Sequence, residues 1–188
     1  MLSGAALWRH LQWQSDRQIR LRSHTQQDLR ALMDTLIHDL RRAHFQALMP
    51  NNMPGNSGAC PSAFCGLPED FEISSHQVLF SVDRNSNGVK DNNECSGFRM
   101  NGKELQTKTA CQPVVWSTLS DAKNLQILSL DFSMECDNSP SSSGDVVAVS
   151  LSAQSTSEKV PQTWQRWVRL RNYNAGTRPA AFNCNLGH

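Results

Sequence analysis

The sequence predicts an α+β fold, in which one long N-terminal α-helix packs on an antiparallel β-sheet. Three observations point there. The first 49 residues contain no Pro, and their apolar residues recur at helical spacing. From residue 50 onward the pattern changes to loops and short alternating runs, with neither a second helical period nor an internal repeat. One Asn-Gly pair sits between two of those runs, a strong hairpin signal.

The helix is expected from Gly4 to Met49. Leu29, Leu32, Met33, Leu36, Ile37 and Leu40 form a narrow apolar stripe suited to docking on the sheet. Nearer the start, Leu7, Trp8 and Leu11 give way to a polar stretch, Gln12–Thr25, rich in Gln and Arg. That half lacks a continuous face for burial in its own domain, so it is expected to project and to need a partner. At ~1.5 Å per residue the whole helix would run ~65 Å, about twice the diameter of a small domain. Pro50, Asn51-Asn52 and Pro54-Gly55-Asn56 terminate it.

Gln77–Val82 is the first expected strand. Phe98-Arg99-Met100, the turn Asn101-Gly102 and Lys103–Gln106 make the hairpin, since Asn-Gly accepts the positive φ angles of a type I′ turn. Leu125–Met134 and Val146–Gln154 follow, joined by the exposed turn Asn138–Gly144. The last strand, Trp164–Tyr173, points Trp164, Val168 and Leu170 one way. Gln165, Trp167, Arg169, Arg171 and Tyr173 point the other way. Residues 1–49 are thus the helix, and 50–188 a disulfide-containing antiparallel β part of the same domain.

Length and charge agree with a single domain. The chain has 188 residues with 38% hydrophobic content, enough for one core. Eighteen Lys+Arg against seventeen Asp+Glu leave a formal net charge of +1, which argues against capture of nucleic acid or anionic membrane by the overall field. No run approaches the roughly 18 apolar residues needed to cross a bilayer. The six cysteines, Cys60, Cys65, Cys95, Cys111, Cys136 and Cys184, include no Cys-x-x-Cys pair. Disulfides in an oxidising compartment are therefore expected. Of the 15 connectivities that six cysteines allow, sequence proximity suggests Cys60–Cys65, Cys95–Cys111 and Cys136–Cys184.

The sharpest chemical motif is Asp83–Glu94, which fits the twelve-position calcium-loop pattern. Asp83, Asn85, Asn87, Asp91 and Glu94 supply side-chain oxygens, Val89 supplies a carbonyl, and Gly88 permits the bend. Only three of these ligands are charged, so Ca2+ affinity would fall near the weak extracellular range of ~10⁻⁴ to 10⁻³ M. A metal-free polar turn is the alternative. Other chemistry is sparse. The six histidines (His10, His24, His38, His44, His76 and His188) do not gather; His10, His24 and His38 recur every fourteen residues, ~21 Å apart on a helix. Glu69 with Asp70, and Glu135 with Asp137, are neighbouring acids expected to be solvated. No nucleophile elbow, Walker A loop, His-Glu-x-x-His or dinucleotide fingerprint is present, so no catalytic residue and no enzymatic activity are expected.

Four segments, in order, carry a family resemblance: Leu36-Ile37-His38-Asp39-Leu40-Arg41-Arg42-Ala43, Val82-Asp83-Arg84-Asn85-Ser86-Asn87-Gly88, Gly97-Phe98-Arg99, and Trp167-Val168-Arg169-Leu170-Arg171-Asn172. Through them the chain resembles minor pilins and pseudopilins of the type IV pilus and type II secretion superfamily. It is most similar to the prepilin peptidase-dependent protein B group, with J-type pseudopilins and W-type minor pilins as wider relatives. Such proteins begin with a basic leader and about twenty apolar residues that span the inner membrane. Met1–Trp8 resembles the last turns of that span, so a membrane segment is expected to be missing from the sequence.

The resemblance implies a minor pilin that helps initiate assembly of a type IV pilus and caps its tip. It places the protein at the periplasmic face of the inner membrane and at the pilus tip. Its implied partners are other minor pilins, the major pilin and the inner membrane, with Leu7, Trp8, Leu11 and Ile19 left for neighbouring helices. Two alternatives stay open: a J-type pseudopilin of a type II secretion system, or a tip adhesin or DNA-binding minor pilin using Trp167, Arg169, Arg171 and Tyr173. Nucleic acid is the less expected partner, because basic residues are not otherwise gathered on that face.

Overall fold

A computed structural model describes residues 3–45, 64, 70–135, 146–157 and 159–171. Helix α1 runs Ser3–Arg41, 39 residues or about 58 Å. Leu29, Met33, Leu36 and Leu40 have no exposed surface, and Ile37 is 9% exposed. Leu32 packs partly buried against the same core. Ahead of Thr25, every residue whose side chain is described is exposed, Trp13 at 79% and Ile19 at 62%.

The helix ends earlier than Met49. Arg42 and Ala43 N–H donate to the carbonyls of Asp39 and Leu40, a tightened last turn, and His44 takes a left-handed φ of 61°. His44 N–H then donates to the Ser81 carbonyl, and Asp83 N–H to the Phe45 carbonyl. The end of a strand thereby captures backbone that helical periodicity would have continued. Residues 46–50 lie outside the described residues.

The β part is antiparallel but forms two sheets. β1 (Phe71–Ser74), β2 (Gln77–Ser81), β3 (Cys95–Asn101), β4 (Glu104–Ala110) and β5 (Val115–Thr118) make a five-stranded meander in chain order. β6 (Leu125–Glu135), β7 (Val146–Ser155) and β8 (Pro161–Arg169) make a three-stranded sheet with β7 in the middle. The four-residue β1 and β5 carry too little alternation to be read from sequence. The last strand starts at Pro161 and stops at Arg169; Tyr173 is outside the described residues.

The β3–β4 hairpin departs from expectation by its register. Asn101 pairs with Glu104, so Gly102-Lys103 is the two-residue loop. Positive φ occurs at Gly102 (60°) and not at Lys103, the pattern of a type II′ rather than a type I′ turn. An Asn101-Gly102 loop would set Phe98 opposite Leu105; Met100 stands there instead. The shift is two residues, so Phe98 and Leu105 stay on the buried face. At Gly97 an added Cβ would lie 2.6 Å from the Val78 carbonyl oxygen and 2.8 Å from the Leu79 side chain.

One core joins everything. α1 contacts β7 and β8, whose alternate residues Val147, Val149, Leu151, Ala153 and Val168 are buried with the helix stripe. Phe71, Val78, Phe80, Phe98 and Leu105 extend the same cluster through the larger sheet. Backbone bonds from Phe132 N–H to the Ser75 carbonyl and from Ile127 N–H to the Lys103 carbonyl tie the sheets together at β6. A bulge between Ile127 and Ser129 leaves Leu128 38% exposed.

Leu36→Ala should lower unfolding free energy by about 2–5 kcal/mol through lost burial and a residual cavity. Ile19→Ala, on the exposed half of the same helix, should change it by less than ~0.5 kcal/mol. Urea melts followed by circular dichroism check this, and equal losses at both positions would contradict the division of the helix.

Candidate functional site

The Asp83–Glu94 loop folds back on its own oxygens. Buried Asp83 accepts from Asn87 N–H at Oδ1 (3.1 Å) and from Gly88 N–H at Oδ2 (3.0 Å). Asn85 Oδ1 accepts from Asn87 N–H (3.1 Å), and Asn87 Oδ1 from Val89 N–H (2.7 Å). These local bonds are the ones short polar side chains make in turns. Positive φ at Ser86 (61°) and Gly88 (75°) supplies the reversal. Buried Glu94 closes the loop: Oε1 accepts from Arg84 and Asn85 N–H (2.7 and 3.4 Å), and Oε2 from Asp91 N–H (2.8 Å). Asp91 Oδ2 receives the side-chain amides of Asn85 (2.7 Å) and Asn87 (3.2 Å). The structure thus links Asn85, Asn87 and Asp91 through their side chains, turns Asp83 and Glu94 onto backbone N–H groups of the loop, and leaves the Val89 side chain exposed. Among the described residues, no three His, Cys, Asp or Glu side chains gather to hold a metal.

Two further anchors fix this loop. A disulfide joins Cys95 to Cys111, and beside it Cys111 N–H donates to the Asn92 carbonyl and Gln112 N–H to Asn92 Oδ1, both at 2.7 Å. Lys90 Nζ bonds Asp70 Oδ1. Asp70 is 1% exposed rather than solvated, and it faces His44 at the helix exit. His44 also meets Phe71 edge-on, ring centroids 5.2 Å apart. Burial pulls the His44 pKa down to about 4, against the opposing pull of Asp70. Sequence reasoning missed this His44–Asp70–Lys90 junction, because its members are 26 and 20 residues apart and share no spacing rule.

A second region is the outer face of β6–β8. Trp167 is 59% exposed, and Gln165, Arg169 and Arg171 are exposed with it. Cross-strand pairing sets Trp167 level with Ala148 and Ser133, and Gln165 level with Ser150 and Asp131. Glu135, expected in a loop, is the exposed last residue of β6 and stands level with Val146 and Arg169. The face therefore carries carboxylates as well as guanidiniums, and a hollow of about 210 Å³ is lined by Trp167 and Gln165 on one side and by Asp131 and Glu135 on the other.

The remaining candidate positions are separate. Leu7, Trp8 and Leu11 lie on α1, with their side chains outside the described residues; Ile19 is exposed on the same helix. Cys60, Cys65, Cys136, Cys184, Glu69 and Asp137 lie outside the described residues. Among the described residues, no helix is long and apolar enough to cross a membrane.

His44 generates a pH test. Between pH ~6.5 and ~4 the unfolded chain takes a proton here that the folded chain refuses, so stability falls as pH drops through that window and is complete above it. The full window amounts to about 3 kcal/mol. His44→Asn, which tolerates the left-handed backbone, should flatten the pH 6.5–5 slope in urea melts; an unchanged slope would assign it to other groups.

A family model described as prepilin peptidase-dependent protein B matches residues 18–170. That span takes in the docked half of α1, both sheets and the Asp83–Glu94 loop. No match was found among curated proteins or among solved structures. With most of its length matched, the chain belongs to the prepilin peptidase-dependent protein B family.

Proposed function

We propose that the chain is a non-enzymatic minor pilin that helps initiate assembly of a type IV pilus and caps its tip, with a pilin-like docking of its long helix on the sheet. One observation carries the reading: α1 divides into a buried half from Thr25 to Leu40 and a half exposed at Trp13 and Ile19. Membership of a prepilin peptidase-dependent family makes the protein pilus-related. A helix half whose described apolar side chains, Trp13 and Ile19, are exposed fits lateral contact with helices of neighbouring subunits. Its partners would be sibling minor pilins and the major pilin, in the cell envelope. The absence of a catalytic motif supports assembly over catalysis.

Purified with its sibling minor pilins, the protein should form complexes in analytical ultracentrifugation. Ile19→Glu should weaken them by about tenfold or more, by placing a charge in an apolar contact, while leaving the melting temperature unchanged. A set that never associates would overturn the assignment.

We further propose that the Asp83–Glu94 loop takes Ca2+ weakly. Support comes from the oxygen donors at alternate positions and from Gly88 at the sixth position with φ 75°. With no three acidic side chains gathered, binding would draw on amide and carbonyl oxygens, at ~10⁻⁴ to 10⁻³ M. Calcium at about ten times that concentration should raise the melting temperature, and Asp83→Ala should abolish the rise. No shift with Ca2+ would leave the loop a hydrogen-bonded turn.

A further inference from the structure

We infer that the hollow on the outer face of β6–β8 binds a neutral sugar, stacked on Trp167; this goes beyond the pilus reading and does not rest on it. The hollow exists because of residue sizes. Trp167 stands on β8, while its neighbours across β7 are the small Ala148 and Ser150. The next side chains to rise are Asp131 and Glu135 on β6, two strand spacings or ~10 Å away. An indole therefore walls one side and carboxylates the other, over a low floor. The space, about 210 Å³, equals some seven waters at ~30 Å³ each, the size class of a monosaccharide.

The lining selects the ligand class by charge. Asp131 and Glu135 repel phosphates and nucleic acid, while Arg169, level with Glu135, repels a cationic peptide. Arg166 does not join them, because its guanidinium lies 5.6 Å from the ring of Trp164 on the helix-facing side of β8; His76 Nδ1 lies 3.4 Å from Asp131 Oδ1. A sugar is neutral and suits both signs. Its hydroxyls donate to the carboxylates and accept from the Gln165 amide, charge-assisted in part. Its C–H face lies on the indole of Trp167, which is more than half exposed. A few converging polar groups around one aromatic anchor is the anatomy of a small-molecule site. The hollow is half open, which sets the affinity near about 1 mM.

The test is a titration of the ¹⁵N-labelled protein with glucose, galactose, mannose and N-acetylglucosamine, each to about 50 mM, well above that affinity. The Trp167 indole N–H, assigned by its loss in Trp167→Ala, and the Gln165 side-chain amide should shift saturably with at least one sugar. Binding should weaken about tenfold or more in Trp167→Ala and persist in Trp13→Ala, which removes an exposed Trp elsewhere. Asp131→Ala, a half-exposed position, is read the same way if Trp167→Ala fails to fold. Oligolysine and inorganic phosphate are run beside the sugars. No saturable shift with any sugar, shifts with oligolysine or phosphate alone, or sugar binding that survives Trp167→Ala would each overturn the proposal.

Discussion

Burial of the Leu29–Leu40 stripe against β7 and β8 is the contact from which the rest of the architecture follows. Its four fully buried members, Leu29, Met33, Leu36 and Leu40, each remove roughly 1.5–3 kcal/mol worth of apolar side chain from water. Among the described residues α1 covers β7 and β8, while strands of the larger sheet pack against β6. The strict in-and-out alternation of β7 is the sheet's half of that contact. One face is thereby committed to the helix, and the opposite face is left to Ser, Gln, Trp and charged groups. The polar run Gln12–His24 has nothing comparable to bury, so the helix divides where its stripe begins.

The far end of that helix governs the second half of the molecule. His44 and Phe45 hand the backbone to the end of β2 and the start of the Asp83–Glu94 loop. Lys90 returns from the loop to Asp70 beneath the same histidine. Helix exit, loop and larger sheet are consequently one cooperative unit. Buried Asp83 and Glu94 are tolerated there because backbone N–H groups satisfy their oxygens, which removes most of the penalty of taking carboxylates out of water.

Much of this was legible in the sequence, for identifiable reasons. The stripe of α1 and the alternation of β7 repeat over many residues, so periodicity alone places Leu36 or Val149 inside. The β3–β4 hairpin was legible too, although its loop was not, and the two-residue slip leaves side-chain direction unchanged. The helix end was hidden because the competing partner, the Ser81 carbonyl, is 37 positions further along the chain. β1 and β5 are edge strands too short to show a period. The division into two sheets depends on where β6 pairs, which local sequence does not encode. For the same reason Trp167 was seen in company with Arg169 but without Asp131, a neighbour supplied only by strand register.

The Cys95–Cys111 bridge closes the β3–β4 hairpin at the end opposite its Gly102-Lys103 loop, so residues 95–111 form a covalent ring. The loop tip is exposed at Asn101, Gly102 and Lys103, the kind of site a trypsin-like protease cuts first. A nick after Lys103 opens that ring without dividing the molecule. The two pieces stay linked through the cysteines and through the β3–β4 pairing that spans the cut, and only a reductant combined with a denaturant would release them. The protein can in this way be clipped at an exposed hairpin tip and remain in one piece.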